Sequence, residues 1–163
     1  MLETEESMRK LCAVLPVFTL LAGLSTPAVA QEGESWETQE TVYAVTLIRV
    51  HPNMSEQYLN NLKRTWVTGV EAAMAEGLTT DYKVFQTIMT NDKGYNLLLA
   101  TEHPNLASFD ATAEWRAKIQ RIGDAVETMI SEEESDRITS TVYPQIRDIV
   151  SSKLMREIQF IDE

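Results

Sequence analysis

The chain has 163 residues, 44% of them hydrophobic and 24% charged, with a formal net charge of −11. That hydrophobic share excludes a disordered chain, and a single Cys excludes a disulfide framework and a cysteine zinc site. The acidity excludes a nucleic-acid partner, because a phosphate backbone needs a basic surface.

The first thirty residues read as an address. Arg9 and Lys10 precede an uncharged apolar run from Leu11 to Leu24, and Ala28-Val29-Ala30 supplies the small residues of a cleavage site. The run is shorter than the about 20 apolar residues of a membrane span. Residues 1–30 are therefore expected to be a secretory signal peptide that carries Cys12 away with it. The remaining 133 residues hold 12 basic and 22 acidic side chains, a net charge of −10. A chain without Cys suits an oxidising compartment, so a periplasmic or secreted location is expected, with no membrane association after cleavage. Residues 31–40 (QEGESWETQE) read as an acidic linker in which Trp36 is the odd residue. A single domain is expected over 41–163.

Residues 42–50 are rich in β-branched and aromatic side chains and form the first expected strand. His51-Pro52-Asn53 ends it. A helix follows over 54–76, with Leu59, Leu62, Trp66, Val70 and Ala73 on one face. Asn53 suits its N-cap, with Glu56 three residues on, and Gly77 suits its C-terminal stop. Residues 81–90 are the second strand, Asn91-Asp92-Lys93-Gly94 a turn, and residues 95–102 the third strand. His103-Pro104-Asn105 then repeats the earlier tripeptide, and a helix is expected through Phe109 and Trp115. Ile119, Ile122, Val126, Met129 and Ile130 make a further helical stripe, and a short helix is expected over 144–152. Residues 154–161 (LMREIQFI) are the fourth strand.

The order is β-α-β-β-α-β with an enlarged second crossover, so the expected fold class is α+β, a ferredoxin-like four-stranded antiparallel sheet with helices on one face. Strands one and three are apolar on both sides: Val42, Ala44, Ile48 and Val50 oppose Tyr43, Val45 and Leu47. Helices on one face leave the other apolar face open, and a homodimer with two sheets face to face would cover it. Element order, the two-sided sheet and the late segment Arg147-Asp148-Ile149-Val150-Ser151-Ser152-Lys153-Leu154-Met155-Arg156-Glu157 resemble a secreted bacterial branch of the dimeric α+β barrel superfamily. The resemblance spans about Thr41 to Ile161. It implies the dimer and admits oxygenases, haem enzymes, lyases and members without a known activity, among which the fold does not choose.

Six residues are candidates for ligand contact. His51 and His103 each sit between a strand and a helix; with strands one and three taken as parallel neighbours, both fall at one sheet edge. There they would meet an anion or transfer a proton, against the plainer reading that each belongs to a turn. Trp66 and Tyr82 suit the lining of a pocket between sheet and helices, against core packing for Trp66. Arg49 and Asn96 are polar groups on strands that must be paired or face a pocket; Glu157 is a candidate partner for Arg49. Neither a metal site nor a cofactor is expected, and the residues leave open whether the protein is an enzyme. A small apolar or aromatic ligand is the leading expectation, with a cofactor-independent oxygenase and a ligand-free dimeric interaction module as alternatives.

Overall fold

The computed structural model describes residues 35–88 and 94–161. The expected signal peptide, residues 31–34 of the expected linker, the end of the second strand and turn residues 91–93 lie outside the described residues. Four strands form one sheet: β1 (Trp36–Val50), β2 (Asp81–Gln86), β3 (Leu97–His103) and β4 (Arg147–Phe160). Their order is β2-β3-β1-β4, and all three pairings are antiparallel. This is the ferredoxin-like arrangement that the element order implied.

The first crossover is one helical run. It comprises α1 (Ser55–Leu62), a π-helical stretch (Lys63–Val67) and α2 (Thr68–Ala75). Asn53 does not cap it. Asn53 itself adopts a left-handed φ of 65°, and the capping position falls to Met54, whose side chain makes no cap bond. The other end follows expectation. Gly77 has φ 70°, its amide donates to Met74 O, and the Leu78 amide donates to Ala73 O. That is the paired bonding of a Schellman stop, and Leu78 packs against the core as its apolar partner.

The second crossover holds a 3-10 turn (Leu106–Phe109), α3 (Ala113–Glu127), α4 (Glu132–Asp136), a second π-helical stretch (Arg137–Val142) and α5 (Tyr143–Ile146). The 3-10 turn and α3 are separate elements: Asn105 caps the first by accepting from Ala107 N, and Thr112 caps the second by accepting from Trp115 N. Pro144 has no amide and crowds the carbonyl four residues earlier. The wider turn that precedes it accommodates both deficits. Among the described residues no helix is long and apolar enough to cross a membrane.

Two boundaries differ from expectation, both through β1. The strand begins at Trp36, because Trp36, Glu37 and Thr38 pair with Phe160, Gln159 and Ile158 of β4. Five residues of the acidic segment are therefore sheet. The expected helix over 144–152 stops at Ile146; Arg147 to Ser152 are strand, held by Val50, Arg49, Ile48, Leu47 and Thr46. Ile149 and Val150 suit a strand as well as a helix face, and a register shift between Leu47 and Ile48 absorbs Val150 as an extra residue.

Ile48 and Val50 of β1 and Leu97 and Leu99 of β3 point at the helices. They form one core with Tyr58, Leu62, Ala73, Ile122, Val126, Ile130, Ile138, Tyr143 and Ile146. The opposite sheet face carries Tyr43, Val45, Leu47, Leu98, Ala100 and Phe85, none of which is buried. A Cβ added at Gly77 meets nothing within 4 Å, so its substitution tests backbone strain without steric clash. Gly77→Ala should cost about 1 kcal/mol, read as a lowered urea midpoint with an unchanged slope; an unchanged midpoint would refute the left-handed stop.

Candidate functional site

The antiparallel register separates the two histidines. His103 lies opposite Val42, while His51 follows Val50 at the other end of β1. Eight residues of strand between those positions span roughly 27 Å, so no site contains both. The error came from orientation: strands one and three are neighbours, as expected, but they run in opposite directions.

His51 belongs to the end of the sheet. Its amide donates to Ile146 O, its Nδ1 lies 3.0 Å from Gln145 O and its Nε2 3.4 Å from Asp148 Oδ2. Arg49 faces Asp148 across the strands, with Nη1 at 3.8 Å, and donates from Nε to Gly94 O at 2.9 Å. The expected Glu157 partner is replaced by Asp148, because β4 is longer than expected and places its first residues beside Arg49. Asn96 is a clamp: its Oδ1 accepts from Val50 N at 2.7 Å and its Nδ2 donates to Val50 O at 2.8 Å. These four polar groups fasten one edge of the sheet.

The other three candidates come together at the opposite end, on the helix side. Trp66, in the π-helical stretch, meets Tyr82 of β2 edge to face at 5.6 Å and 87°. Tyr82 lies opposite Thr101 and its hydroxyl donates to Glu71 Oε1 at 3.3 Å. Burial and the Glu71 carboxylate raise the phenol's pKa. Two residues along β3, His103 stacks on Phe109 at 4.6 Å. Its Nδ1 lies 2.7 Å from Leu78 O and its Nε2 2.9 Å from Thr101 Oγ1. A carbonyl only accepts, so Nδ1 carries the proton and Nε2 accepts from the Thr101 hydroxyl. Burial lowers the imidazole's pKa, opposed by the Leu78 carbonyl and by Glu102.

This cluster borders a part of the sheet that the helices leave bare. Ala44 lies opposite both Thr101 and Leu154, and Thr46 opposite Ser152. Leu154 is 41% exposed. This stretch of sheet is open to solvent, with Ala44 and Leu154 as its apolar side chains and Tyr82, Thr101 and His103 as half-buried polar groups along one side. A separate surface groove of about 500 Å³ lies on the outer side of the helices, lined by Asn60, Lys63, Arg64, Thr68 and Met129; none of the six candidates borders it.

One further cluster has no counterpart in the sequence reading. Arg147 stacks over the Tyr143 ring at 4.0 Å and lies 5.3 Å from the Tyr58 ring centre, and its Nη1 donates to the Tyr58 hydroxyl at 2.8 Å. Thr65 donates to Asn61 O at 2.9 Å and therefore accepts from the Tyr143 hydroxyl at 2.7 Å. Burial pushes the Tyr58 phenol up to about 12 against the pull of Arg147. The two π-helical stretches create this cluster, since one carries Thr65 and the other ends on Tyr143. Pro144 was the sequence signal for the second stretch; nothing in Lys63–Val67 marks the first.

No family model matches the chain, and no curated protein matches it. Among solved structures it is similar to a protein from Shewanella oneidensis, at 12% identity over 78% of this chain and 99% of that one, with a TM-score of 0.42. It is also similar to an ethyl tert-butyl ether d (ethd) family protein from Bacillus halodurans, at 12% identity, 72% and 98% coverage and a TM-score of 0.38. A third is a dimeric protein of unknown function and ferredoxin-like fold from Bacteroides fragilis, at 12% identity, 77% and 100% coverage and a TM-score of 0.33.

The lowered pKa of His103 fixes the sign of a pH effect. The unfolded chain takes up the proton first, near 6.5, so the native contribution is complete above that pH and is lost as pH falls below it. Wild-type stability should fall below pH 6.5 more steeply than that of His103→Gln. Parallel curves in urea titrations between pH 7.5 and pH 5 would remove His103 from its buried, neutral role.

Proposed function

We propose that the protein is a secreted homodimer that binds a small apolar or aromatic molecule in the open cleft beside Trp66, Tyr82 and His103. The observation that carries the binding is the edge-to-face Trp66–Tyr82 pair. It stands next to a hydroxyl and a neutral imidazole on the same side of the sheet. Aromatic edges and faces grip a flat ring at offset or perpendicular angles, and a few polar groups beside an apolar cleft orient what binds. The bare inner side chain Leu154, beside Ala44, supplies the apolar floor.

The homodimer is supported by the opposite sheet face. Tyr43, Val45, Leu47, Leu98, Ala100 and Phe85 form an apolar patch outside the core, flanked by Lys83, Glu102 and Lys153, and such patches in water mark interfaces. Secretion is supported by the charge, apolar run and small-residue order of residues 9–30.

Native mass spectrometry of protein recovered from the periplasm of an expressing bacterium tests all three parts in one spectrum. The expected species is a dimer of chains beginning at Gln31, with added mass from a retained small molecule. Leu47→Asp should convert the dimer to monomer, because it buries a charge in each half of the interface. Tyr82→Ala should leave the dimer and weaken binding about tenfold, the factor that about 1.4 kcal/mol represents. A monomer at micromolar concentration refutes the dimer, and an intact N-terminus refutes secretion. A ligand that stays bound to the Tyr82 variant refutes the cleft. Conversion of a bound aromatic compound in air, without added cofactor, would make the same cleft that of an oxygenase.

A further inference from the structure

The arginines of this acidic chain are almost all satisfied by oxygen acceptors. Arg49, Arg64, Arg121 and Arg137 pair with carboxylates. Arg116 and Arg156 donate to backbone carbonyls. Arg147 differs. Among the described residues the one hydrogen bond of its side chain goes to the Tyr58 hydroxyl, and it has no carboxylate partner. With 25 acidic residues against 14 basic ones, a half-buried guanidinium without a carboxylate is the exception that needs a reason.

Its setting is rigid. The guanidinium carbon lies over the Tyr143 ring at 4.0 Å, and one nitrogen is tied to Tyr58, which is fully buried. Tyr143 is fixed in turn through Thr65 to the Asn61 carbonyl. Two ring contacts and one hydrogen bond hold the guanidinium, and among the described residues several of its N–H donors have no acceptor. A planar fork held in this way matches a carboxylate through two parallel hydrogen bonds. A phosphate dianion fits less well, because a single cation faces it in a chain of strongly negative net charge.

We propose that Arg147 is the binding site for the carboxylate of a small organic acid, held by the open N–H donors of a guanidinium that Tyr143 and Tyr58 position. The site is separate from the cleft of the proposed function. Arg147 lies opposite Val50 and the cleft residue Leu154 lies opposite Ala44, a separation of roughly 20 Å along β1. Tyr58 and Tyr143 are positioning residues, since both are buried behind the guanidinium.

The test is an NMR titration of the full chain with benzoate, followed at the arginine Nε–H resonances, with acetate and inorganic phosphate as parallel arms. Benzoate should shift the Arg147 resonance saturably, acetate should do so more weakly, and phosphate should not saturate. Arg147→Lys keeps the charge but loses the fork, and should weaken benzoate at least tenfold. Tyr58→Phe keeps the ring but frees that nitrogen, and should weaken it a few-fold with an unchanged fold by amide spectra. If Arg147→Lys fails to fold, the wild-type titration and Tyr58→Phe still decide the matter. A linear, unsaturated response of Arg147 to benzoate overturns the proposal. Equal affinity of the Lys variant, or phosphate binding tighter than benzoate, overturns it too.

Discussion

β1 is hydrogen-bonded along both edges, and everything else in the molecule takes its position from that pairing. Seven of its fifteen residues, Val42 to Ile48, pair with β3 on one side, and β4 pairs along most of the other. Because every pairing is antiparallel, each end of β1 gathers a different set of chain segments. The Val50 end collects His51, Asn96, Gln145 and Arg147, while the Ala44 end collects Tyr82, Thr101, His103 and Leu154. A central strand thus sorts the polar groups into two places, one of which fastens the sheet and the other of which borders an uncovered stretch of it.

The division of labour in the core follows from the same strand. Alternation sends Ile48 and Val50 toward the helices and Leu47 and Val45 away from them. Only the first pair is covered within the chain. Burial of a Leu- or Val-sized side chain is worth about 1.5–3 kcal/mol, so six apolar or aromatic side chains left on the other face represent a large unrealised stabilisation. The ion pairs on the helix side add comparatively little. Glu134, held by Arg137 and Arg64, keeps its carboxyl down at about 2, but both arginines are exposed and solvent screens such pairs.

Much of this was legible in the residues. The strand composition of 42–50, the Schellman glycine at Gly77 and the helical stripes around Trp66 and Ile122 each carry a local signal, and local signals give element type. Orientation is not local. The His-Pro-Asn repeat marks two equivalent junctions, yet the opposed directions of β1 and β3 put them at opposite ends. Ile149 and Val150 fit an amphipathic helix and a strand equally well; β1, a distant partner, decides for the strand. Trp36 reads as a stray aromatic because its neighbours are acidic, and only cross-strand pairing with Phe160 explains it. The Tyr58–Arg147–Tyr143 cluster was invisible for a further reason: it joins residues 89 positions apart through two widened helical turns.

The far end of the β1–β4 pair has one more consequence. β3 reaches only Val42, so Trp36 to Thr38 are paired with β4 alone. Two strands without a third are marginally stable in water, and Phe160 there is 76% exposed. The amides of this ribbon should open and exchange their hydrogens long before those of Ile48 or Leu97. The protein therefore has a gradient of local stability along a single strand, firm where the helices press on it and loose where it leaves them. Any partner that grips the ribbon would raise its low end first.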